Sequence, residues 1–254
     1  MSKESIYGSM NRQRQWATVV GMLVVMLICP SAHASFSDKL NITKLEFQSL
    51  SKDCQVIIAN NLSDQSTFGR GWSLGKDQGM IAWNAGMWHY CGGVIRIRRG
   101  ELSFNQAERE DYLRKGIDNA MYSYQRIDKT NPWSAEIATT IARAYRDLSE
   151  KNNAKKFLDE ALKYHPDYAA AYALYAMIYF DQGEYKTAKD YLLKADRASK
   201  GQSSEVIYFL GLASFKLGQI DEAHKYAKQA ADMGYPLTGL QDKLKALENV
   251  GKKQ

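Results

Sequence analysis

From Pro132 onward the sequence repeats itself with a period near 34 residues. Turn-plus-alanine segments mark the register at 150–154, 183–188 and 218–223. Seven residues after each closing alanine comes another, at Ala161, Ala195 and Ala230, and Pro132 and Pro166 stand 34 apart. A recurring small residue at helical spacing lets two helices approach closely while larger neighbours fill the sides. One such unit cannot bury its apolar face alone, so successive units must stack. A polypeptide built this way forms an open-ended array rather than a closed core.

In the middle unit the first helix carries Tyr172, Tyr175, Ala176 and Tyr179; the unit before has Ala138, Ile141, Ala142 and Tyr145 at the matching places. The last unit has Ile207, Leu210, Gly211 and Ser214. This pattern resembles the tetratricopeptide repeat, a helix–turn–helix unit of 34 residues. The resemblance implies an all-α solenoid with full units at 135–168, 169–202 and 204–237. After them, 238–254 reads as an amphipathic capping helix with Leu240, Leu244 and Leu247 on one face. Upstream, 101–134 reads as a degenerate helix pair, with Gly116, Ala120, Tyr124 and Pro132 in register. Its first helix is expected over 106–115, opened by a capping box at Ser103, Phe104, Asn105 and Gln106.

The other end of the sequence predicts export. Residues 1–14 are polar and carry Lys3, Arg12 and Arg14 against Glu4; an apolar run covers 16–29, Pro30 breaks it, and Ala32, His33 and Ala34 follow. Those are the three regions of a secretory signal in order. An apolar run of this length falls short of the roughly 20 residues that cross a bilayer, so cleavage after Ala34 is favoured over a retained anchor. Cleavage leaves 220 residues, lowers the net charge from +6 to +4, and removes Cys29. Cys54 and Cys91 remain, and in an oxidising compartment two cysteines favour a disulfide, worth about 4 kcal/mol in the chain-entropy model. A reactive or metal-bound thiol is the alternative.

Residues 35–100 differ in composition, being rich in Gly and Trp. They read as a small Cys-containing segment, partly irregular and partly helical. Thr43, Lys44, Leu45 and Glu46 form another capping-box pattern. The stretch 64–79, with four glycines, reads as a loop, and 79–99 leans to helix although Val94 to Arg98 alternates like a strand. The wording Leu45-Glu46-Phe47, Asp53-Cys54, Gly71-Trp72 and Trp88-His89-Tyr90-Cys91 is similar to that of exported bacterial tetratricopeptide-repeat proteins.

Candidates for chemistry are sparse. His89, two residues before Cys91, would suit a Cys–His nucleophile, yet a packed histidine beside a bridged cysteine is the simpler reading. His165 reads as a turn residue, His224 as surface, and no histidine pair has metal-ligand spacing. No phosphate-binding glycine loop occurs. No catalytic residue, metal or cofactor is expected. Arg96, Arg98 and Arg99 make a small basic cluster that suits a solvated face or an anionic envelope contact; nucleic acid is a poor partner for an exported protein at +4.

The tetratricopeptide resemblance implies a concave surface lined by the first helix of each unit, holding a protein or peptide. By register that surface is Glu136, Thr139, Arg143 and Arg146, then Met177, Phe180 and Asp181, then Tyr208, Leu212 and Phe215. The leading expectation is a non-enzymatic periplasmic or secreted adaptor with a protein partner in the cell envelope and no stable membrane insertion. The alternative is an envelope enzyme or glycan binder, with Trp72, Trp83 and Trp88 as sugar-stacking faces.

Overall fold

The 34-residue period is realised as helix pairs. The computed structural model describes residues 40–61 and 76–251, and among these every regular element is helical. The expected signal segment 1–34 and Trp72 lie outside the described residues. In sequence order the helices are α1 (Lys44–Gln48), α2 (Lys52–Asn61), α3 (Lys76–Asn84), α4 (Met87–Leu102), α5 (Gln106–Tyr124) and α6 (Pro132–Asp147). There follow α7 (Lys151–Tyr164), α8 (Ala169–Asp181), α9 (Tyr185–Ala198), α10 (Ser204–Lys216), α11 (Ile220–Asp232) and α12 (Gly239–Gly251).

Helices α6/α7, α8/α9 and α10/α11 are three pairs, and each second helix also packs on the next pair. The turn inside each pair is the same object three times. Ser149, Gly183 and Gly218 adopt left-handed φ of 63, 77 and 74°. The following residue donates back five positions, from Glu150 to Tyr145 O, Glu184 to Tyr179 O and Gln219 to Ser214 O, at 2.8, 3.0 and 2.9 Å. These are Schellman closures, which satisfy helix-end carbonyls and need a residue that tolerates positive φ. Glycine does so without steric cost; Ser149 does not.

Within pairs the contact line is small. Ala142, Ala154, Ala176, Ala188, Ala195, Ala223 and Ala230 have no exposure, and Ile141, Leu158, Ile178, Leu192 and Leu210 fill the space between helices. Helix α12 closes the end with Leu240 and Leu244 fully buried; Leu247 remains 46% exposed, so the capping face is two leucines deep rather than three.

The N-terminal part departs from the register reading. The segment 101–134 holds one helix, α5, not two, because nothing in 106–124 interrupts it. Its partner is α4, which the alternating Val94 to Arg98 did not make a strand. The cap of α5 is Asn105, whose side chain accepts from the Glu108 amide, while Ser103 Oγ donates to the Glu108 carboxylate at 2.7 Å. Residues 76–79, expected in a loop, begin α3. Helices α4 and α5 make the most extensive contact in the molecule. A Cβ on Gly93 would stand 2.8 Å from Gly116 O, and one on Gly116 3.0 Å from Gly93 O. The two backbones touch.

Helices α1 and α2 lie against this pair. Thr43 caps α1 in the expected reciprocal box: its hydroxyl accepts from the Glu46 amide, and Glu46 accepts from the Thr43 amide at 2.8 Å. The disulfide Cys54–Cys91 ties α2 to α4, and Phe47, Leu50, Ile57 and Ile58 are buried around it.

Two measurements check this account. Ser149→Gly should raise stability by about 0.5–1 kcal/mol, and Gly183→Ala should lower it by a similar amount although a Cβ there meets no atom within 4 Å; urea midpoints report both. Gly93→Ala should cost about 1 kcal/mol or more despite better helix propensity, because the obstruction is backbone. Gly211→Ala, which meets the movable tip of Leu240, should be closer to neutral.

Candidate functional site

The first helices of the pairs, α6, α8 and α10, face one side, and between them runs a cleft of about 710 Å³. Its walls are Thr139, Arg143 and Arg146 from α6, Ala169, Ala170, Ala173, Leu174 and Met177 from α8, Leu192 from α9, and Ser203, Glu205, Val206 and Phe209 at and after the start of α10. Four of the residues placed there by register therefore meet: Thr139, Arg143, Arg146 and Met177. Phe180 packs edge-on against Tyr185 and Phe209 beside the cleft. Tyr208 is buried against Tyr235, and Leu212 and Phe215 pack on the C-terminal core. The position matching Arg143 and Met177 in the last unit is Leu212, but the lining residue is Phe209, one turn earlier. Phe209 matches Leu174 of the middle unit, so the cleft uses this second line of positions as well. Register gives the right helices and misses Val206 and Phe209.

The two arginines of the cleft differ. Arg146 grips Asp181 of the next unit with two bonds, Nε to Oδ2 at 2.7 Å and Nη2 to Oδ1 at 3.2 Å. Arg143 is exposed and makes no hydrogen bond or ion pair with the described residues.

At its N-terminal end the cleft leads into a smaller recess of about 210 Å³. Thr139, Arg143 and Ala170 border both. The recess is walled by residues 49–51 and Cys54, by Tyr90, Val94, Ile97, Arg98 and Glu101 of α4, by Glu136 and Thr140 of α6, and by Tyr168. The Tyr90 hydroxyl donates to Glu136 Oε1 at 2.8 Å. Burial pushes the Glu101 carboxyl and the Asp147 carboxyl above the usual carboxylate range. Burial and the nearby Glu136 push the Tyr168 hydroxyl up to about 12. Residue-by-residue reading places Glu136 on this surface but has no means of finding Glu101, which arrives from α4, or Tyr168, which closes the first unit and caps α8.

The basic cluster of α4 explains why the recess is closed. Arg99 holds Glu46 with Nε to Oε1 at 2.6 Å and Nη2 to Oε2 at 3.0 Å, and Arg98 donates to Ser49 O at 3.1 Å. Together with the disulfide these contacts seat residues 49–54 over the head of the cleft.

The remaining candidates lie elsewhere. His89 stacks on Tyr122 at 4.0 Å, and burial with nearby Arg126 and Arg96 lowers its pKa. The bridged Cys91 beside it has no exposure, which removes the thiolate a Cys–His pair requires. His165 ends α7, its Nε2 within 3.0 Å of Ser134 Oγ and 2.8 Å of Lys129 O. His224 lies 3.3 Å from Glu248. Trp83, two-thirds exposed, meets Trp88 at 5.2 Å and 48°. Among the described residues no group of three or more His, Cys, Asp and Glu is placed to hold a metal, and no helix is long and apolar enough to cross a membrane.

Comparison with known families places tetratricopeptide-repeat models on residues 135–168, 152–206 and 204–233. Tetratricopeptide repeats thus make up the three regular units. No curated protein matches. Among solved structures, a MamA fragment from Desulfovibrio magneticus RS-1 is 18% identical, with a TM-score of 0.46 over 63% of this sequence and 85% of that one. A MamA crystal structure is 20% identical, at 0.42 over 65% and 96%. A tetratricopeptide-repeat protein of Thermus thermophilus is 15% identical, at 0.38 over 65% and 93%.

The anchor over the recess predicts an acid-sensitive step. Arg99 and Thr43 hold the Glu46 carboxyl down to about 2, with the Arg99 bond the largest cause. Its stabilising contribution is complete above about pH 4.5 and is lost as pH falls toward 2. Glu101 and Asp147, shifted upward by burial, contribute in the opposite sense. Thermal melts from pH 7 to 2 should therefore show an acid limb that Glu46→Gln makes shallower.

Proposed function

We propose that this protein is an exported, non-enzymatic adaptor that holds a segment of a partner protein in the cleft between α6, α8 and α10. The observation that carries this reading is the cleft itself: an apolar floor of Ala173, Leu174, Met177, Val206 and Phe209 beside the unpartnered guanidinium of Arg143. Apolar side chains of a partner would bury on the floor, where Met adapts to irregular shapes. An acidic side chain would meet Arg143, whose fork suits carboxylates. Tetratricopeptide units act typically as protein-binding scaffolds, which supports a protein partner.

The signal-like segment and the single pair of bridged cysteines support a periplasmic or secreted location within a cell-envelope assembly. N-terminal sequencing of the mature protein should begin at Ser35; a product starting at Met1 in the envelope fraction would overturn cleavage. For the cleft, a photo-crosslinking residue at Met177 should trap a defined partner that the same residue at Lys228, on the outer helix α11, does not. Arg143→Glu should weaken that partner's binding at least tenfold with melting temperature unchanged, and Met177→Glu should do so with helix content retained although it also loosens packing on the core. Unaltered binding by both variants would sink the assignment.

A further inference from the structure

The recess at the head of the cleft holds polar groups that the fold leaves without partners. Thr139 is 3% exposed, borders both cavities, and its Oγ1 has no hydrogen-bond partner. Arg143, one helical turn further along α6, makes no hydrogen bond or close ion pair among the described residues, and neither does the Glu101 carboxylate across the recess, on which the Arg143 charge acts through space. The other charged groups nearby are engaged. Arg98 and Arg109 donate to the backbone carbonyls of Ser49, Gly100 and Glu101, and Glu136 accepts from Tyr90.

A buried hydroxyl without a partner is costly to keep, and a native one calls for an explanation. Here the unmet groups are of both signs: two donors on one face of α6, spaced i and i+4, and one acceptor carboxylate on α4. The charges that line the recess balance, Arg98 and Arg143 against Glu101 and Glu136. One side is shut by residues 49–54, which the disulfide holds in place. A polypeptide threading through would carry neither free charge and would meet that wall. A small zwitterion satisfies all three groups.

We propose that the recess binds a free α-amino acid with an apolar side chain. Its carboxylate accepts from the Arg143 guanidinium and the Thr139 hydroxyl, with the Arg contact charge-assisted. Its α-ammonium donates to the Glu101 carboxylate. Its side chain passes Ala170 toward the apolar floor at Met177. This site adjoins the partner cleft and shares Arg143 with it, so the two readings are told apart at Thr139 and Glu101, which the proposed partner does not use.

Isothermal titration of the full-length protein, disulfide intact, with L-leucine, N-acetyl-L-leucine and L-leucinamide tests the proposal, and alanine, valine, methionine and phenylalanine extend the panel. Leucine should bind, and blocking either its amine or its carboxylate should weaken binding at least tenfold. Thr139→Val and Glu101→Gln should each weaken leucine at least tenfold. Thr139→Val should also melt at or above the parent temperature, since it removes the unpaired hydroxyl without changing shape. Absence of binding across the panel overturns the proposal. So does equal affinity for leucine and N-acetyl-leucine, which would instead mark a seat for the carboxyl terminus of a polypeptide. Unchanged leucine affinity in both variants, with the fold intact by circular dichroism, overturns it as well.

Discussion

Where two helices of a pair cross, the residue on the contact line is alanine or glycine, and the rest of the solenoid follows from that separation. Ala142, Ala154, Ala176 and Ala188 are fully buried in the regular units, and Gly93 against Gly116 lets the backbones of α4 and α5 touch. At such distances the large side chains cannot sit between the axes. Ile141, Leu158, Ile178 and Leu192 fill the space beside that line and are fully buried. Stacking is thus a consequence of close pairing, and the concave cleft is what stacked first helices leave open.

The N-terminal part turns that open array into something with a closed end. Residues 49–54 could lie anywhere along a solenoid face, yet three contacts of different kinds fix them: the Cys54–Cys91 bond, the two-pronged Arg99–Glu46 pair and the Arg98–Ser49 hydrogen bond. The ion pair is partly buried and doubly bonded, the geometry in which a salt bridge adds specificity as well as attraction. An open groove favours long ligands; a groove with a fixed head discriminates by what its end can accommodate.

The regular units are legible in the sequence because their information is local. A period of 34, a glycine at two of the three turns and an alanine line are all properties of short windows, and they place α6 to α11. The α4–α5 pair is misplaced for the same reason: 79–99 leans to helix by itself, but its pairing with α5 rests on Gly93 and Gly100 meeting Gly116 and Leu113, which no short window shows. Arg98 and Arg99 read as a solvated basic cluster because Glu46 and Ser49 stand about fifty positions away. Of the cleft, Thr139, Arg143, Arg146 and Met177 follow from register, whereas Leu174 and Phe209 lie one turn earlier on their helices and join it through the packing of successive units. Glu101 joins the site only through tertiary packing.

The distribution of satisfied and unsatisfied polarity then separates the faces. On the outer helices, Lys189 pairs with Glu222, Lys155 stands 4.2 Å over the Tyr179 ring and Lys194 4.6 Å over Tyr191. Two buried acceptors there lack partners, Asp196 Oδ1 and Gln241 Oε1, but neither borders the cleft or the recess. At the head of the cleft, a buried hydroxyl without a partner, an exposed guanidinium and a desolvated carboxylate border one recess, where an apolar Val at 139 would fit as well and cost less. Local departures from polar satisfaction in an otherwise consistent fold concentrate at functional positions. By that criterion the unsatisfied polarity that borders a cavity lies at the junction of recess and cleft, at Thr139.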